Sequence, residues 1–352
     1  MDITTMLKDA VEKQASDIFI VSGIPVSYKL NGTIQPQSEE IILPETSEKL
    51  LTDAYDIAGR DIEKLRLNGD DDFSISIKGL SRFRISAYKQ RGSLAAVIRL
   101  VSFDVPDSKE MSIPNSVMDI AKKSKGLVLV TGPAGGGKST TLACIIDKIN
   151  REKNAHIITL EEPIEYLHRN KKSVISQREI HADTEGYVTA LRASLRQSPD
   201  VILVGEMRDF ETIKTAMTAA ETGHLIISTL HSVGAANTID RIIDVFPPSQ
   251  QQQIRVQLSQ LLQTVISQQL VPTLDGKQVP AFEIMHCNSA IRNMIRESKI
   301  HQIDNAINSF GNEGMISMDN YILDLYKKKL ISAETAVKYS FNPENLERKL
   351  SI

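Results

Sequence analysis

The residues with the clearest chemical potential stand in one stretch, 127–150, which reads LVLVTGPAGGGKSTTLACIIDKIN. Gly132 is followed after four residues by Gly137, Lys138 and Ser139, which is the G-x-x-x-x-G-K-[ST] spacing of a phosphate-binding loop. The backbone N–H groups of such a loop wrap around phosphates, and its glycines let the backbone approach the anion closely. The helix predicted from about Ser139 directs its positive dipole end at the same charge. The sequence therefore predicts nucleotide binding.

The side chains of this loop have separate expected roles. Lys138 is expected to reach the β- and γ-phosphates, and Ser139 is expected to offer its hydroxyl to Mg²⁺. The predicted ligands are therefore ATP and Mg²⁺. The residues predicted to bind the nucleotide are Gly132, Pro133, Ala134, Gly135, Gly136, Gly137, Lys138, Ser139 and Thr140.

Acidic residues follow two further apolar runs. Glu161 and Glu162 come directly after the run at 157–160, where a carboxylate pair can hold a water or Mg²⁺ close to the γ-phosphate. An acidic helix N-terminus is the alternative interpretation of this loop. Glu206 follows the run at 201–204, and we assign it to polarising the attacking water or to holding Mg²⁺ through a water.

Two histidines flank the next apolar run, at 225–227. His224 precedes the run and His231 follows it at a short distance. A histidine at the carboxyl end of a strand can sense a γ-phosphate through a hydrogen bond, whereas the alternative is an ordinary structural hydrogen bond. The predicted catalytic set is Glu206, Glu161, Lys138, His231 and His224.

The elements that must position these residues follow a regular alternation. From 127 onward, short apolar runs alternate with helical patterns, which predicts an α/β domain with a parallel sheet covered on both faces. Ligands of such sheets gather at the carboxyl ends of the strands. Beyond the sheet, 249–270 predicts one long helix, 279–286 a strand, and 289–352 a mostly helical region.

The first hundred residues predict a separate α+β domain. A helical pattern at 3–13 and two more within 46–67 accompany strand patterns within 73–100, and the acidic run 70–72 is expected to end the helices. The segment 103–114 contains two prolines and no periodicity, which is typical of a linker. The predicted organisation is a first domain at 1–102, a linker at 103–114, a core at 115–288 and a helical C-terminal region at 289–352.

Composition excludes several classes of protein. The net charge of −3 and pI near 6.2 give no clustered basic field, so we expect no nucleic-acid partner. Cys144 and Cys287 each stand alone in apolar surroundings, as buried thiols of a reducing compartment do. No run approaches the roughly 20 apolar residues that span a bilayer, so we expect a soluble cytoplasmic protein without membrane insertion.

These stretches together resemble the secretion ATPases of the type IV pilus class over nearly the whole chain. Four stretches are typical of that class broadly: GPAGGGKSTTL from Gly132, ITLEEPIEYLH from Ile158, LRASLRQSPDVILVGEMRD from Leu191 and TAAETGHLIISTLHS from Thr218. The stretch AIRNMIRE from Ala290 is similar to the AIRNLIRE of pilus-retraction ATPases and is the most specific of the five.

The resemblance implies a PAS-like first domain, a RecA-like P-loop ATPase domain and assembly into a hexameric ring. It implies Mg²⁺-dependent ATP hydrolysis that drives pilin disassembly, and hence pilus retraction and twitching motility. Glu161 would belong to an acidic box, Glu206 would be the Walker B glutamate, and His224 and His231 would form a histidine box. The implied location is the cytoplasmic face of the inner membrane at the pilus base, beside a membrane platform protein.

Arginines of the first domain are candidates for contacts between subunits of such a ring. An ATPase that fires between subunits needs guanidinium groups delivered in trans, and Arg84 and Arg99 are the plausible ones on its last strands. Strands at a protein surface often carry arginines, which is the alternative interpretation.

The chain departs from the family pattern at three places. Glu162 stands where Asp is usual, Met294 replaces a leucine, and Ala134 and Gly136 replace hydroxyl residues of the loop while keeping the backbone cradle. Three other functions compete: a nucleotide-gated assembly platform with little hydrolysis, a pilus extension or secretion ATPase, and a RecA-like DNA translocase. Extension motors generally carry a four-cysteine zinc site, and this chain has two cysteines.

Overall fold

A computed structural model describes residues 2–30, 32–101 and 105–350. The chain forms two compact units, Met1–Asp104 with Glu165–Leu167, and Val105–Ile164 with His168–Ile352. The strands are β1 (Asp17–Ile20), β2 (Ser27–Leu30), β3 (Thr33–Pro36), β4 (Asp70–Ile77), β5 (Ser81–Gln90), β6 (Ser93–Val101), β7 (Gly126–Thr131), β8 (His156–Glu161), β9 (Val174–Glu179), β10 (Val201–Val204), β11 (Leu225–Leu230), β12 (Leu262–Pro272) and β13 (Gln278–His286). The helices are α1 (Ile3–Glu12), α2 (Pro44–Ala58), α3 (Glu63–Asn68), α4 (Asn115–Met118), α5 (Lys138–Glu152), α6 (Tyr187–Ser194), α7 (Phe210–Glu221), α8 (Ala235–Asp244), α9 (Pro248–Leu261), α10 (Ser289–Arg296), α11 (Ile303–Ser309), α12 (Met318–Lys327), α13 (Ala333–Tyr339) and α14 (Pro343–Leu350).

The first unit is the predicted α+β arrangement. Its described strands form one antiparallel sheet in the order β3-β2-β1-β6-β5-β4. Burial alternates along β5, so Phe83 and Ile85 face the core while Arg82 and Arg84 are only half-buried. Helices α1 and α2 contribute to the same core, which includes Tyr28 and contacts between neighbouring aromatic rings.

The acidic run 70–72 was expected to end the helices before it, and that expectation is wrong. These residues begin β4, and α3 ends instead at Asn68, followed by the C-cap Gly69, whose φ of 88° is left-handed. Asp71 is buried in the strand because Arg60 and Tyr55 donate hydrogen bonds to its carboxylate, at 2.9 and 3.0 Å. A partnered carboxylate can therefore occupy a strand that composition alone disfavours.

The second unit contains the predicted parallel sheet. Its described strands lie in the order β13-β12-β7-β11-β10-β8-β9, and every pairing is parallel except that of β12 with β13. Alternate residues of β7 enter two separate cores, Leu127 and Leu129 on one face and Val128 and Val130 on the other. Both faces of the sheet are thus covered, and the RecA-like arrangement expected from the sequence is confirmed.

The long helix predicted over 249–270 is wrong in its second half. Helix α9 ends at Leu261, and β12 begins at the next residue and pairs in parallel with β7 through a bulge near Leu262 and Thr264. The consecutive β-branched residues Thr264, Val265 and Ile266 are a strand signal that the glutamine-rich helical pattern obscured.

The segment predicted as a linker is described only in part, because 103 and 104 lie outside the described residues. Residues 105–114 belong to the second unit, where Ile113 is buried and Cys144 Sγ donates to the carbonyl oxygen of Pro106 at 3.2 Å. The C-terminal region from 289 to 350 is mostly helical, as expected, with a short 3-10 turn at Gly311–Glu313.

Candidate active site

The carboxyl ends of four parallel strands meet at one edge of the second unit's sheet. Leu160 pairs with Val204, Val204 with Ser228, and Leu230 with Thr131, so the segments that follow these strands are neighbours. Hydrogen bonds continue beyond the strands, from Gly205 N to the oxygen of Leu160 (2.7 Å) and from Met207 N to the oxygen of Thr229 (3.1 Å). The predicted loops therefore converge, as parallel topology requires.

The phosphate-binding loop lies between β7 and α5. Gly137 is the N-cap of α5 at a left-handed φ of 80°, so the helix begins at Lys138, one residue earlier than predicted. Lys138 is buried, and its ammonium donates to the carbonyl oxygens of Gly132 and Pro133, each at 2.8 Å. Ser139 in the first turn is exposed, with its hydroxyl at the helix N-terminus. This arrangement presents backbone N–H groups, an ammonium and a hydroxyl to an anion.

Gln268 of β12 packs against the phosphate-binding loop, and no sequence pattern predicted this contact. Its backbone oxygen would lie 2.0 Å from a Cβ added to Gly132, so only glycine fits there. Its side-chain oxygen accepts from Thr141 Oγ1 at 2.7 Å, and its amide nitrogen would lie 2.8 Å from a Cβ on Gly137. Gln268 is itself buried, so its contacts hold both ends of the loop.

A cavity of about 280 Å³ opens beside the loop and α5. Its lining combines apolar side chains with amides and hydroxyls, which is the usual character of a ligand site. It is lined by residues that include Met111, Ile113, Thr140, Gln268, Leu270 and Pro280.

Glu206, directly beyond β10, is the centre of a charged cluster. Its carboxylate is largely buried and accepts from Arg208 Nη2 at 2.7 Å and from His231 Nε2 at 3.1 Å. Burial pushes the pKa of the Glu206 carboxyl upward, but Arg208 and His231 together outweigh burial and hold that pKa below its ordinary value. Glu206 and His231, predicted from separate strands, are thus brought together, and the cluster can orient a water beside a phosphate.

The two glutamates at the end of β8 each have a polar partner. Glu161 accepts from Thr159 Oγ1 at 2.6 Å and from Gln177 Nε2 of β9 at 3.2 Å. Glu162 lies 3.3 Å from His181 Nε2. The alternative interpretation, an acidic helix N-terminus, does not apply because an extended loop follows β8.

Tyr187, at the start of α6, packs beside these carboxylates and was not predicted. Its hydroxyl would lie 2.9 Å from a Cβ added to Gly205. Burial is the main cause that raises the pKa of the Tyr187 phenol, and the carboxylates of Glu162 and Glu206 raise it further. The phenol therefore stays protonated near three acidic groups, including Glu161.

His224 does not join this group within one chain. It precedes β11, so the six residues of that strand separate it from His231 at the other end. Its Nδ1 is 3.0 Å from Thr222 Oγ1 and 3.0 Å from the oxygen of Ala219, at the end of α7. A catalytic role for His224 stays a prediction that the geometry of one chain does not support.

The two arginines proposed to act between subunits lie in the first unit. Arg84 and Arg99 are direct cross-strand partners on β5 and β6. Arg99 donates from Nε to Asp17 Oδ1 at 2.8 Å, yet its side chain remains 64% exposed. The guanidinium of Arg99 is therefore engaged through Nε within its own chain, while most of the side chain is accessible.

Two observations bear on metal and membrane. Within the described ranges, no group of three or more His, Cys, Asp or Glu side chains could hold a metal ion by itself. In that same part of the chain, none of the helices combines the length and apolar character needed to cross a bilayer.

Comparisons with known proteins give one consistent result. The family model for "Type II/IV secretion system protein" matches residues 1–318. The type IV pilus retraction ATPase PilT of Pseudomonas aeruginosa is 43% identical over 350 residues, covering 98% of this chain and 100% of that protein. A twitching motility protein of Neisseria gonorrhoeae is 47% identical over 280 residues, covering 79% of this chain and 75% of that protein. The crystal structure of the pilus retraction motor PilT with bound ADP matches with a TM-score of 0.90 and 44% identity, covering 99% of both chains.

Proposed function

This chain belongs to the Type II/IV secretion system protein family and is an ATPase, and on that basis we propose that it hydrolyses ATP to power retraction of type IV pili. The observation that carries the proposal is the convergence of the phosphate-binding loop with the Glu206–His231 pair at one sheet edge. The likeness to PilT over nearly the whole chain supports retraction in particular.

In the proposed mechanism, the loop Gly132–Thr140 holds the phosphates through backbone N–H groups. Lys138 turns its ammonium from the loop carbonyl oxygens toward the β- and γ-phosphates. The apolar and amide-bearing cavity beside the loop receives the nucleoside end of ATP. Bound Mg²⁺ would be held by Ser139 and would neutralise charge on the phosphates.

Glu206 is the proposed group that polarises the attacking water. Its carboxylate is already engaged by Arg208 and His231, so a direct bond to Mg²⁺ fits less well than an interaction through a water. His231 contacts that carboxylate at 3.1 Å and is the proposed sensor of the γ-phosphate. Glu161, fixed by Thr159 and Gln177, adds a second carboxylate at the same edge.

The proposed working form is a homohexameric ring whose subunits complete each other's sites. Arg84 and Arg99 are the proposed trans contacts, and Arg99 has an accessible side chain. We place this ring in the cytoplasm at the inner face of the membrane, at the pilus base, where it would act on the platform protein without binding nucleic acid. We also assign 1–102 as a PAS-like domain, 103–114 as its linker, 115–288 as the ATPase core and 289–352 as the helical C-terminal region.

The test is ATP turnover by the purified chain with Mg²⁺, measured against protein concentration beside the Glu206→Gln and Lys138→Ala variants. Specific activity that rises with concentration, together with inactive variants, would support a site completed between subunits. ATP binding without turnover above that of Glu206→Gln would favour a nucleotide-gated platform instead. In cells, Lys138→Ala should abolish pilus retraction; pili that still retract would argue against this motor, and loss of pilus assembly would indicate extension.

A further inference from the structure

A buried carboxylate lies outside the site and touches two distant parts of the chain. Glu283 of β13 is 3% exposed. Its Oε1 accepts from the backbone N–H of Ala235 at 2.8 Å, and its Oε2 accepts from the backbone N–H of Met318 at 3.4 Å. These two residues are the first residues of α8 and α12. One side chain thus binds the N-termini of two helices.

Both helices lack a cap from their own sequence. The N-cap residues Gly234 and Ser317 make no side-chain capping hydrogen bond. The first N–H groups of a helix need an acceptor, and a negative charge there is favoured by the helix dipole. Glu283 supplies that acceptor to both helices from a strand.

The contact to α8 bears directly on the catalytic edge. The residues 231–234 connect β11 to α8, so His231 stands four residues before the Ala235 N–H that Glu283 holds. Ser267, the cross-strand partner of Glu283, accepts from the N–H of Gly234 at 2.9 Å. The hairpin of β12 and β13 therefore fixes the end of the segment whose histidine contacts Glu206 at 3.1 Å.

We propose that Glu283 is a positioning residue for ATP hydrolysis: it holds the start of α8 so that His231 stays against Glu206, and it ties that position to α12 in the C-terminal region. A shift of α12 would then reach the site through this carboxylate. The inference rests on the proposed ATPase mechanism, in which the Glu206–His231 pair orients the water.

The contact of Glu283 with the N-termini of α8 and α12 should depend on pH. Burial is the main cause that raises the pKa of the Glu283 carboxyl to about 7, and the negative charges of Asp304 on α11 and Asp319 on α12 raise it further. The two backbone N–H donors lower this pKa but do not cancel the rise. A proton on Glu283 weakens its acceptance from the helix N-termini. As pH falls through about 7, the hold on α8 should therefore loosen.

The test compares full-chain wild type with Glu283→Gln in steady-state ATP hydrolysis across pH. Gln keeps the size of the side chain but turns an NH₂ group toward one of the two N–H donors. We expect kcat to fall roughly tenfold with KM changed less than about twofold, since the segment 231–234 is misplaced while the phosphate-binding loop is untouched. We also expect the variant to lose the part of the acid limb near pH 7 that Glu283 contributes.

Ser332→Ala is the matched control, because it removes an N-cap from α13, where Ser332 accepts from Thr335 N at 3.0 Å. Rates are taken per folded chain, so a purely structural role of Glu283 predicts the behaviour of this control: unchanged kcat and unchanged pH profile. An unchanged kcat and an unchanged pH profile in Glu283→Gln would overturn the positioning role. ATP turnover by the wild type would still support the ATPase assignment in that case.

A second variant removes the donor rather than the acceptor, in case Glu283→Gln folds poorly. Ala235→Pro places proline at the first position of a helix, where it is tolerated, and deletes the N–H that Glu283 binds. The same selective loss of kcat is expected. A folded Ala235→Pro chain with wild-type kcat would contradict the positioning role.

Discussion

The phosphate-binding loop and the Glu206 cluster lie at the same sheet edge but are built in different ways. The loop is a backbone site, formed by its glycines, its carbonyl oxygens and the start of α5. Lys138 is the charged side chain within it. The cluster is made of side chains from the segments that follow two strands, and they meet through the Glu206–Arg208 ion pair and the contact of Glu206 with His231. A backbone site depends on local conformation, whereas a side-chain site depends on how distant segments are packed.

This difference separates two kinetic quantities. Changes to the loop should act mainly on nucleotide affinity, because the loop contacts phosphates in the ground state and the transition state alike. Changes to the cluster should act mainly on kcat, because a polarised water matters only when the bond breaks.

The largest effect is expected from Glu206→Gln. Removing the carboxylate that polarises the water should lower kcat by roughly 100- to 1,000-fold, while ATP affinity changes little. Single-turnover hydrolysis and equilibrium binding of a fluorescent ATP analogue measure the two quantities. Equal losses of ATP affinity and turnover in this variant would show that the loop and the cluster act as one functional unit.

The loop is tested by Gly132→Ala, whose added Cβ would lie 2.0 Å from the Gln268 oxygen at a φ of 136°. The loop must shift, so ATP affinity should fall at least about tenfold. Gly135→Ala is the matched control, because its φ of 73° is also left-handed but no atom lies within 4 Å of the new Cβ. Equal losses in the two variants would show that strain, not the contact with Gln268, decides affinity.

A smaller and pH-dependent effect is expected from Arg208→Gln. Arg208 helps hold the pKa of Glu206 below its ordinary value against burial, which acts in the opposite direction. Without the guanidinium, the pKa of Glu206 rises and more of its carboxyl is protonated at acidic pH, so the acid limb of kcat should move to higher pH. Arg208→Lys keeps the charge and should move it less. An unmoved limb would mean that another group sets it.

The smallest effect is expected from Thr141→Val, which breaks the hydrogen bond to Gln268 and leaves a buried amide oxygen without that donor. The free energy of unfolding should fall by about 1 kcal/mol, with KM for ATP changed less than about twofold. Denaturant unfolding measures the loss. The control Thr218→Val removes a hydroxyl that donates to the oxygen of Lys214 within its own helix, and the loss in the free energy of unfolding should be smaller.

The sequence predicted the backbone-built region almost completely, because its chemistry is encoded within eight consecutive positions, Gly132 to Ser139. It also predicted that Glu206 and His231 each follow a parallel strand at the ligand-binding edge of the sheet, whereas their contact with each other is seen only in the structure. The supporting residues were not predictable in this way. Gln268 and Glu283 act through long-range pairing, and neither stands in a pattern that indicates its partner.

The misassigned half of the 249–270 segment shows why those residues were missed. Interpreted as a helix, 262–270 would place side chains around a cylinder, and no inference about contacts with the loop could follow. As the strand β12 it brings Gln268 to the phosphate loop and Ser267 to Gly234. The error arose because the helical periodicity was extended too far along the chain. A glutamine-rich helix runs directly into β-branched residues without a turn between them.

Ser267 and Gln268 on β12 contact different segments, because consecutive side chains of a strand point to opposite faces of the sheet. Ser267 serves the histidine segment and Gln268 serves the nucleotide loop. Inserting or deleting a single residue between 262 and 266 would therefore exchange the two faces and remove both supports at once. In the turn at 273–277 the number of residues does not decide which face a side chain points to. We therefore expect relatives of this chain to differ in the length of this turn but not in the length of β12.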